Sequence, residues 1–277
     1  MKKFLLLLVL SIGLIAALAA CNGEESTNSS SEQENSWERI ESSGELVIGT
    51  SGTYHPITYM DPNTNELTGF EVEVVRELAK RLNLTPVFTT MEFDGILPAL
   101  RNEQIDIAAN DFTITPERLE KFDFTTPHKF SYGSAIVRAD ADINSVEDLK
   151  GIKIGGSLTS NYSEFARENG AEVIAYSGGG DTILRDIING RIDAQLNDLL
   201  VLQKTLNEFN NDQVKLAENL KFQPNVGALV MKKDSPELKE KLDAVITEML
   251  ADGTIKELGL EFLGADITQQ VTEEDLK

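Results

Sequence analysis

The sequence predicts an α/β protein of two lobes joined by a two-stranded hinge, with a ligand cleft between the lobes. Strand-like and helix-like stretches alternate along most of the chain, which is typical of sheets covered by helices. One pattern occurs at both 100–111 and 188–198: a helix end, a polar turn, Ile-Asp, three residues and Asn-Asp. Two extended segments, 131–137 and 222–229, would allow one lobe to be inserted into the other. A chance match of short strings is the alternative to a true repeat.

The first 20 residues have the composition of a secretory signal peptide. A charged start is followed by the apolar run 4–20, which is marginal in length for a membrane-spanning helix. Cys21, the one cysteine, follows Leu18-Ala19-Ala20 and resembles the lipobox of bacterial lipoproteins. We therefore expect a diacylated Cys21 that anchors the chain on the extracytoplasmic face of the cell membrane, the alternative being an odd free thiol. Residues 21–36, rich in Ser, Asn and Glu, are expected to form a disordered tether.

The chain is strongly acidic, with 46 Asp and Glu against 25 Lys and Arg and a formal net charge of −21. Because binding to phosphates needs clustered Lys and Arg, this balance argues against nucleic acid or anionic lipid as a partner. A solvated acidic surface is enough to explain the charge. His55, His128 and the single cysteine give no metal-ligand spacing, so we expect no metal and no cofactor.

The first lobe begins with a strand at 45–50 that ends in a glycine-rich turn. Apolar residues at helical spacing then predict a helix over 70–82. A short strand near Val87 and a helix from Asp94, as its cap, to Arg101 follow. This alternation predicts a mostly parallel sheet with helices on both faces.

The stretch 105–118 has the features of one wall of an anion site. A short apolar strand at 105–109 is followed by polar residues at its carboxyl end, where open α/β sheets bind ligands. Thr115 can cap a helix whose first position is Pro116. Arg118 is thereby expected beside free backbone N–H groups, an arrangement that suits a carboxylate.

The second lobe repeats the alternation of strand and helix before two closing helices, at 236–251 and 254–258. Gly178-Gly179-Gly180 could be compared with a phosphate loop, but it lacks the lysine and the spacing of that motif, which favours a flexible turn. The further predicted elements are strands at 152–155 and 173–176 and helices at about 161–168 and 181–189, the latter capped by Asp181. The predicted boundaries are 1–20 for the signal peptide, 21–36 for the tether, 37–134 and 226–277 for lobe 1, and 135–225 for lobe 2.

Six motifs follow one another in unbroken order between about residues 40 and 262. They are Gly49-Thr50-x-x-x-Tyr54-x-Pro56, Leu67-Thr-Gly-Phe70-Glu-Val-Glu-Val74, Phe93-Asp94-Gly95-Ile96-Leu97-Pro98-Ala99-Leu100, Thr113-Ile-Thr-Pro-Glu-Arg118, Phe124-x-x-Pro127 and Gly190-Arg-Ile-Asp193. This order resembles the polar amino-acid-binding proteins of ABC importers, solute-binding protein family 3, which have a periplasmic-binding-protein-like fold. Tyr54-x-Pro-x-Thr-Tyr59, Asp94-Gly95 and Ser160-Asn161-Tyr162 look most like the L-cystine-binding branch.

The resemblance implies a zwitterionic ligand that is clamped between the lobes. Arg118 would bind its α-carboxylate, together with the Thr113 hydroxyl and backbone N–H groups. Asn110 and Asp111 would line the pocket and reach the α-ammonium. Alternatively, Asp111 forms a salt bridge that orients Arg118.

On the second lobe, the resemblance implies that Ser160 and Asn161 add hydrogen bonds to the ligand carboxylate. Asp198 would hold the α-ammonium, a role compatible with capping the helix that comes after it. The two strand residues of the repeat, Asp106 and Asp193, are expected to make structural bonds instead.

Three aromatic residues, Tyr54, Tyr59 and Phe93, would enclose the ligand side chain. Ser51 stands where relatives that bind cationic side chains carry aspartate, which disfavours lysine, arginine and histidine as ligands. Tyr162 would either line the pocket or pack beneath its helix.

Because the carboxylate partners lie mainly on lobe 1 and the ammonium partner on lobe 2, only a closed form would satisfy both ends of the ligand. The resemblance therefore implies a monomeric receptor, not an enzyme, that captures an amino acid, best L-cystine, and delivers it to an ABC permease. Glutamine or another polar amino acid is the alternative ligand. A dehydratase-like enzyme and a sensory module are the rival functional classes.

Overall fold

The computed structural model describes residues 36–177, 179–217 and 219–271. The predicted signal peptide, the predicted lipid attachment at Cys21 and the tether up to residue 35 lie outside the described residues. Within the described ranges, no helix is long and apolar enough to span a bilayer.

Nine α-helices and one 3₁₀ helix, at Val146–Leu149, occur in the described part of the chain. The α-helices are α1 (Ser36–Ser43), α2 (Phe70–Arg81), α3 (Phe93–Arg101), α4 (Pro116–Lys121), α5 (Asn161–Glu168), α6 (Gly180–Ile188), α7 (Leu199–Phe209), α8 (Pro236–Ala251) and α9 (Thr254–Leu263).

The described residues also form 14 strands. They are β1 (Glu45–Thr50), β2 (Thr53–Tyr54), β3 (Thr58–Met60), β4 (Leu67–Thr68), β5 (Thr85–Thr90), β6 (Ile107–Ala108), β7 (Phe122–Phe124), β8 (Lys129–Arg138), β9 (Lys153–Gly156), β10 (Glu172–Ala175), β11 (Ala194–Asp198), β12 (Val214–Leu216), β13 (Phe222–Gly227) and β14 (Val230–Lys232).

The ends of several helices can be explained by their capping residues. Thr115 Oγ1 accepts a hydrogen bond from the Arg118 backbone N–H at 3.2 Å, and Pro116 takes the first position of α4, which confirms that prediction. Ser160 caps α5 in the same way. Two predicted caps are wrong, because Asp94 and Asp181 lie one residue inside the first turns of α3 and α6.

The sheet of the first lobe has the strand order β5-β1-β6-β14-β7. Strands β5, β1 and β6 are parallel, whereas β14 pairs antiparallel with both β6 and β7. Strand β14 comes after the second lobe in sequence. The chain therefore returns to complete the first sheet after it has built the second.

The sheet of the second lobe has the order β10-β9-β11-β8-β12, with β13 also paired to β8. Strands β10, β9 and β11 are parallel, and β8 pairs antiparallel with β11, β12 and β13. Both sheets are therefore mixed, but in each of them a single strand, β14 or β8, runs against all the others, so the prediction of a mostly parallel sheet is confirmed. The antiparallel pairs arise because the connecting strands run back between the lobes.

Strands β8 and β13 are the two segments that connect the lobes. They pair antiparallel, with Ser131 opposite Asn225 and Lys129 opposite Gly227. Two α/β lobes are thus joined by a two-stranded hinge, as the sequence predicts. The predicted boundaries, at 134/135 and 225/226, fall within these strands, and their precise position stays a prediction.

Each lobe has apolar clusters on the faces of its sheet. Helices α2, α8 and α9 cover one face of the first sheet through residues such as Phe70, Val74 and Ile246, all fully buried. Helix α5 and helices α6 and α7 cover opposite faces of the second sheet. Val201 of α7 packs into the first-lobe cluster, so the start of α7 also contacts the other lobe.

Candidate functional site

A cavity of about 300 Å³ lies between the two lobes. Both sheets contribute residues from the carboxyl ends of their parallel strands, where α/β proteins bind ligands. The lining residues are 51, 53–55, 92–93 and 110–111 from the first lobe and 155–157, 160–162, 176–177, 179–181, 183, 195–197, 201, 205 and 208 from the second.

The first aspartates of the repeated pattern have equivalent structural bonds. Asp106 Oδ2 accepts from the Val47 backbone N–H at 2.8 Å, and Asp193 Oδ2 accepts from the Lys153 backbone N–H at 2.8 Å. Each carboxylate thereby ties the residue before its strand to the neighbouring parallel strand. The prediction that these two aspartates make structural bonds is confirmed.

The asparagines of the repeat hold the cleft-side loops. Asn110 Oδ1 accepts from the Ser51 backbone N–H at 2.7 Å. Asn197 Oδ1 accepts from the Tyr54 hydroxyl at 2.7 Å, a bond that joins the two lobes. Both side chains therefore stabilise the walls of the cavity, which Asn110, Asn197 and Tyr54 line.

The last aspartates of the repeat, Asp111 and Asp198, meet at the ammonium group of Lys129. Lys129 Nζ lies 2.9 Å from both carboxylate oxygens of Asp111 and 2.7 Å from Asp198 Oδ2. These contacts use all three N–H donors of the lysine. All three side chains are at most 2% exposed. We call Asp111, Lys129 and Asp198 the carboxylate–lysine cluster.

The cluster contains two carboxylates and one ammonium group, so it has one excess negative charge when all three are ionised. Burial raises the pKa of the Asp111 carboxyl to about 6, although Lys129 opposes this rise. Burial would lower the pKa of Lys129, but the attraction of Asp111 and Asp198 outweighs it and raises the pKa. The lysine therefore stays charged, whereas the Asp111 carboxyl can take up a proton near pH 6.

Backbone geometry holds both carboxylates in place. Asp111 has the left-handed φ of 56°, and its N–H donates to Glu71 Oε2 at 2.7 Å. Asp198 is the N-cap of α7, where its Oδ1 accepts from the Leu200 and Val201 N–H groups. The capping role of Asp198 is thus confirmed, and its other oxygen faces Lys129.

Asn225, on hinge strand β13, connects the cluster to both lobes. Its Nδ2 donates to Asp198 Oδ2 at 2.7 Å and to the Tyr162 hydroxyl oxygen at 3.0 Å. Its Oδ1 accepts from the Thr113 hydroxyl at 2.6 Å. Tyr162 also lines the cavity, and burial raises the pKa of its hydroxyl well above the ordinary value.

Arg118 lies beside the cavity and is 8% exposed. Its Nη1 donates to the Thr113 carbonyl at 2.9 Å, and its Nη2 reaches the Thr159 carbonyl of the other lobe at 3.4 Å. The guanidinium carbon lies 5.2 Å from the centre of the Phe112 ring. The sequence left open a salt bridge between Asp111 and Arg118. In the structure Asp111 pairs with Lys129.

Further contacts cross the cleft at its rim. Asp94 Oδ1 accepts from the Thr159 hydroxyl at 2.7 Å, and His55 Nδ1 lies 3.1 Å from Glu208 Oε2. Burial lowers the pKa of His55. The lobes are therefore in contact both at the carboxylate–lysine cluster and at the rim.

Six of the ten predicted ligand-binding residues line the cavity, namely Tyr54, Phe93, Asn110, Asp111, Ser160 and Asn161. Thr113, Arg118 and Asp198 lie next to it within the hydrogen-bond network. Tyr59 lies in a shallower surface depression, with its ring 4.2 Å from that of His55. That any of them binds a ligand stays a prediction.

Among the residues of the network that sequence reasoning missed are Lys129 and Asn225. Both lie on the hinge strands, where the pattern indicates extended chain but not which side chains turn inward. The available signal was the pair of aspartates at equivalent strand ends, which together require a cation. No group of three or more potential metal ligands occurs among the described residues.

Comparison with known proteins identifies the family. The model of the bacterial extracellular solute-binding proteins, family 3, matches residues 46–265. The chain is 39% identical to the probable ABC transporter extracellular-binding protein YckB of Bacillus subtilis, over 92% of this chain and 90% of YckB. It is 35% identical to the L-cystine-binding protein TcyA of the same organism, over 97% of this chain and all of TcyA.

Solved structures support the same fold. The crystal structure of YckB matches with a TM-score of 0.69 over 85% of this chain and 96% of that chain, at 42% identity. The L-cystine solute receptor of Neisseria gonorrhoeae, in its unliganded open conformation, matches with a TM-score of 0.58 at 35% identity, over 85% of this chain and 99% of the receptor. The chain thus belongs to family 3 of the bacterial extracellular solute-binding proteins and is a solute-binding protein of an ABC amino-acid importer.

Proposed function

We propose that this protein captures L-cystine between its lobes and delivers it to an ABC permease, without chemical conversion of the ligand. It would do so as a monomer that is anchored to the cell membrane through a lipid on Cys21. The alternative ligand is another polar amino acid, such as glutamine.

The observation that carries the proposal is the presence of both signs of charge next to the cavity. Arg118 supplies a cation, and its two hydrogen bonds use only two of five N–H donors. The carboxylate–lysine cluster, of which Asp111 lines the cavity, supplies one excess negative charge. A zwitterion matches this arrangement, with its α-carboxylate at Arg118 and its α-ammonium at Asp111 and Asp198.

Closure would result from the position of these groups on different lobes. Arg118 and Asp111 belong to the first lobe, whereas Asp198, Ser160 and Asn161 belong to the second. Only the closed arrangement allows one small ligand to reach both sets, so the ligand favours closure by its higher affinity for that state. Contacts such as Asp94 to Thr159 then add to the closed state.

The choice of L-cystine is supported by two relatives and by the cavity itself. TcyA and the Neisseria gonorrhoeae receptor are named as L-cystine-binding proteins. Tyr54 and Phe93 line the cavity and offer aromatic faces to a disulfide. Ser51 also lines it, and its neutral side chain offers no carboxylate to a cationic side chain at this position.

Calorimetric titration of the purified protein tests the proposal, after unfolding and refolding to remove bound ligand. We expect micromolar or tighter binding of L-cystine and weaker binding of glutamine, arginine, histidine and glutamate. Arg118→Ala should weaken L-cystine binding at least about 100-fold, because the ligand carboxylate loses a bidentate charged partner. Asp198→Asn should weaken it about tenfold or more while keeping the helix cap.

The matched control is Arg101→Ala, since Arg101 is exposed at the end of α3. It should leave binding unchanged. The absence of heat with every amino acid would contradict the proposed ligand class. Equal losses of affinity for L-cystine in Arg118→Ala and Arg101→Ala would contradict the binding of the ligand carboxylate by Arg118.

A further inference from the structure

Glu71, in the first turn of helix α2, is a buried carboxylate of the first lobe. Only 1% of the residue is exposed, and its neighbours in the chain, Phe70 and Val72, are buried as well. It does not belong to the described lining of the cavity. A buried carboxylate is costly unless it is hydrogen-bonded, so its partners indicate its role.

The two oxygens of Glu71 face a member of the carboxylate–lysine cluster and the residue before another. Oε2 accepts a hydrogen bond from the Asp111 backbone N–H at 2.7 Å. Oε1 lies 3.3 Å from Nε2 of His128, which precedes Lys129. That second contact lacks hydrogen-bond geometry, since Oε1 and both ring nitrogens of His128 have no hydrogen-bond partner among the described residues. The strong directed interaction of this carboxylate is therefore the bond to Asp111.

The backbone of Asp111 has a conformation that needs support. Its φ of 56° is left-handed, which costs an L-residue about 1 to 2 kcal/mol, although aspartate adopts it more readily than most. A hydrogen bond to a charged group contributes about 1.5 to 3 kcal/mol. The bond from the Asp111 N–H to Glu71 is therefore large enough to offset the cost of this conformation.

The space around the Asp111 carboxylate is tight. A Cβ at Gly227 would lie 3.3 Å from Asp111 Oδ1 and 3.2 Å from Lys129 Cβ. The carbonyl of Gly227 accepts from the His128 backbone N–H at 3.0 Å, which fixes the start of the hinge strand beside it. A rotation of the Asp111 backbone would therefore move its carboxylate relative to both Lys129 and the cavity that it lines.

The equivalent aspartate of the second lobe is held differently. The Asp198 backbone N–H donates to Oδ1 of its immediate neighbour, Asn197, at 2.9 Å. The orientation of Asp198 thus depends on local contacts and on its own helix cap. The orientation of Asp111 depends on Glu71, which lies 40 residues earlier in the chain.

We propose that Glu71 is a positioning residue for ligand binding, which holds the Asp111 backbone so that the Asp111 carboxylate faces the α-ammonium group of the ligand. This inference rests on the proposed function, which assigns that ammonium group to Asp111 and Asp198. Glu71 acts through Asp111 and does not contact the ligand itself.

The charge of Glu71 also acts on Asp111. Burial raises the pKa of the Asp111 carboxyl to about 6, Lys129 opposes this rise, and the negative charges of Asp198 and Glu71 add to it. The other ionisable groups that interact with Asp111 are Arg118 on α4, Tyr54 on β2 and Tyr162 on α5. Glu71 can be neutralised without a change in the residues that line the cavity.

Calorimetric titration with L-cystine at pH 7.5 tests the proposal with two substitutions. Glu71→Met removes the acceptor at similar length and should weaken binding about 10- to 100-fold, because the Asp111 backbone loses its support. Glu71→Gln keeps an acceptor oxygen and should stay within about threefold of the wild type. The matched control is Glu73→Gln, since Glu73 belongs to the same helix but bonds to Thr68 and Arg76. It should leave binding unchanged.

The dependence of affinity on pH separates positioning from a general loss of structure. Ionised Asp111 attracts the ammonium group, so the affinity of the wild type should fall as the pH decreases below about 6. Glu71→Gln removes one negative charge and thereby lowers the pKa of Asp111, so its affinity should begin to fall at a lower pH. Glu73→Gln should follow the profile of the wild type.

The outcomes distinguish this inference from the proposed function. In a wild type that binds L-cystine, unchanged affinity in Glu71→Met, or equal losses in Glu71→Met and Glu71→Gln, would overturn the positioning role alone. If Glu71→Met does not fold, a pH profile of Glu71→Gln that coincides with that of the wild type would overturn it. A wild type that binds glutamine instead is tested with glutamine, which has the same α-ammonium group. A wild type that binds no amino acid would overturn both this inference and the proposed ligand class.

Discussion

The two copies of the repeated pattern, 105–111 and 192–198, are alike at their beginnings and different at their ends. Asp106 and Asp193 make equivalent bonds to the backbone of the neighbouring parallel strand, at the same 2.8 Å. Strands β6 and β11 each lie between one parallel and one antiparallel neighbour. The pattern therefore builds the same framework in both lobes.

The final aspartates differ because one precedes a loop and the other precedes a helix. Asp111 adopts a left-handed φ and leads into the loop, whereas Asp198 caps α7 with one oxygen. Lys129 then binds both, from a hinge strand that belongs to neither copy. The repeated pattern therefore specifies how the two strands end. The hinge strand that carries Lys129 determines how the two aspartates are brought together.

The largest predicted loss of stability comes from removing Lys129, the cation that the two aspartates share. Lys129→Met leaves two buried carboxylates without a counter-charge, and we expect a loss of about 3 to 5 kcal/mol in the free energy of unfolding at pH 7.5. Urea denaturation measures it. Lys153→Met, at the exposed start of β9, is the control and should stay within about 0.5 kcal/mol of the wild type. A similar small loss in Lys129→Met would mean that the cluster is hydrated rather than buried.

The pH dependence of stability reports on the buried carboxyl of Asp111. Because burial raises the pKa of Asp111 to about 6, the folded state binds this proton more tightly than the unfolded chain. The resulting stabilisation is complete below about pH 4 and is lost as the pH rises through 6. Relative to Asp111→Asn, the wild type should therefore lose up to about 3 kcal/mol between pH 4 and pH 7.

Urea denaturation of both proteins across this range measures the difference. Asp266→Asn serves as a contrast, because a hydrogen bond from Lys256 helps to lower the pKa of Asp266 to about 2. The stabilisation from Asp266 is present above about pH 4 and is lost as the pH falls to 2. A difference in stability between wild type and Asp111→Asn that does not change with pH would show that Lys129 fully offsets the effect of burial on the Asp111 carboxyl.

The shared beginnings of the repeat can be compared by one substitution in each copy. The Asp106 carboxylate is 2% exposed and also pairs with Arg39, whereas Asp193 is half-buried. We expect Asp106→Ala to cost about 2 to 3 kcal/mol and Asp193→Ala about 1 kcal/mol, because the amide that loses its acceptor is partly buried in the first case and exposed in the second. Thermal denaturation of both variants checks the order. The control Asp140→Ala, at an exposed turn, should change the free energy of unfolding by about zero. Equal losses of stability in Asp106→Ala and Asp193→Ala would contradict this explanation.

Much of the framework is predictable because it depends on local rules. Strand β1 spans the predicted 45–50, and the caps Thr115, Ser160 and Asp198 are short polar side chains before helical stretches. Where the local signals are ambiguous, the prediction fails. Asp94 and Asp181 are good caps by type, but each helix begins earlier, and Asp94 bonds instead to the other lobe.

The residues of the site likewise fall into those that the sequence predicts and those that it does not. Residues at the carboxyl ends of strands, such as Asn110, Asp111 and Asp198, are predictable because an open α/β sheet presents its strand ends to the cleft. Lys129, Asn225 and Gln195 are not, because each is one polar residue within an extended segment. Burial of such a residue depends on which face of the strand another lobe covers.

The sequence by itself determined the alternation of strands and helices, the caps Thr115, Ser160 and Asp198, the repeat and the polar strand ends, because these depend on neighbours within a few residues. Only the tertiary structure decided that both sheets are mixed and that Lys129 pairs with two aspartates 18 and 69 residues away. These features arise when the hinge strands bring two lobes together, and the electrostatic cost of burying charge then depends on distances that no local pattern encodes.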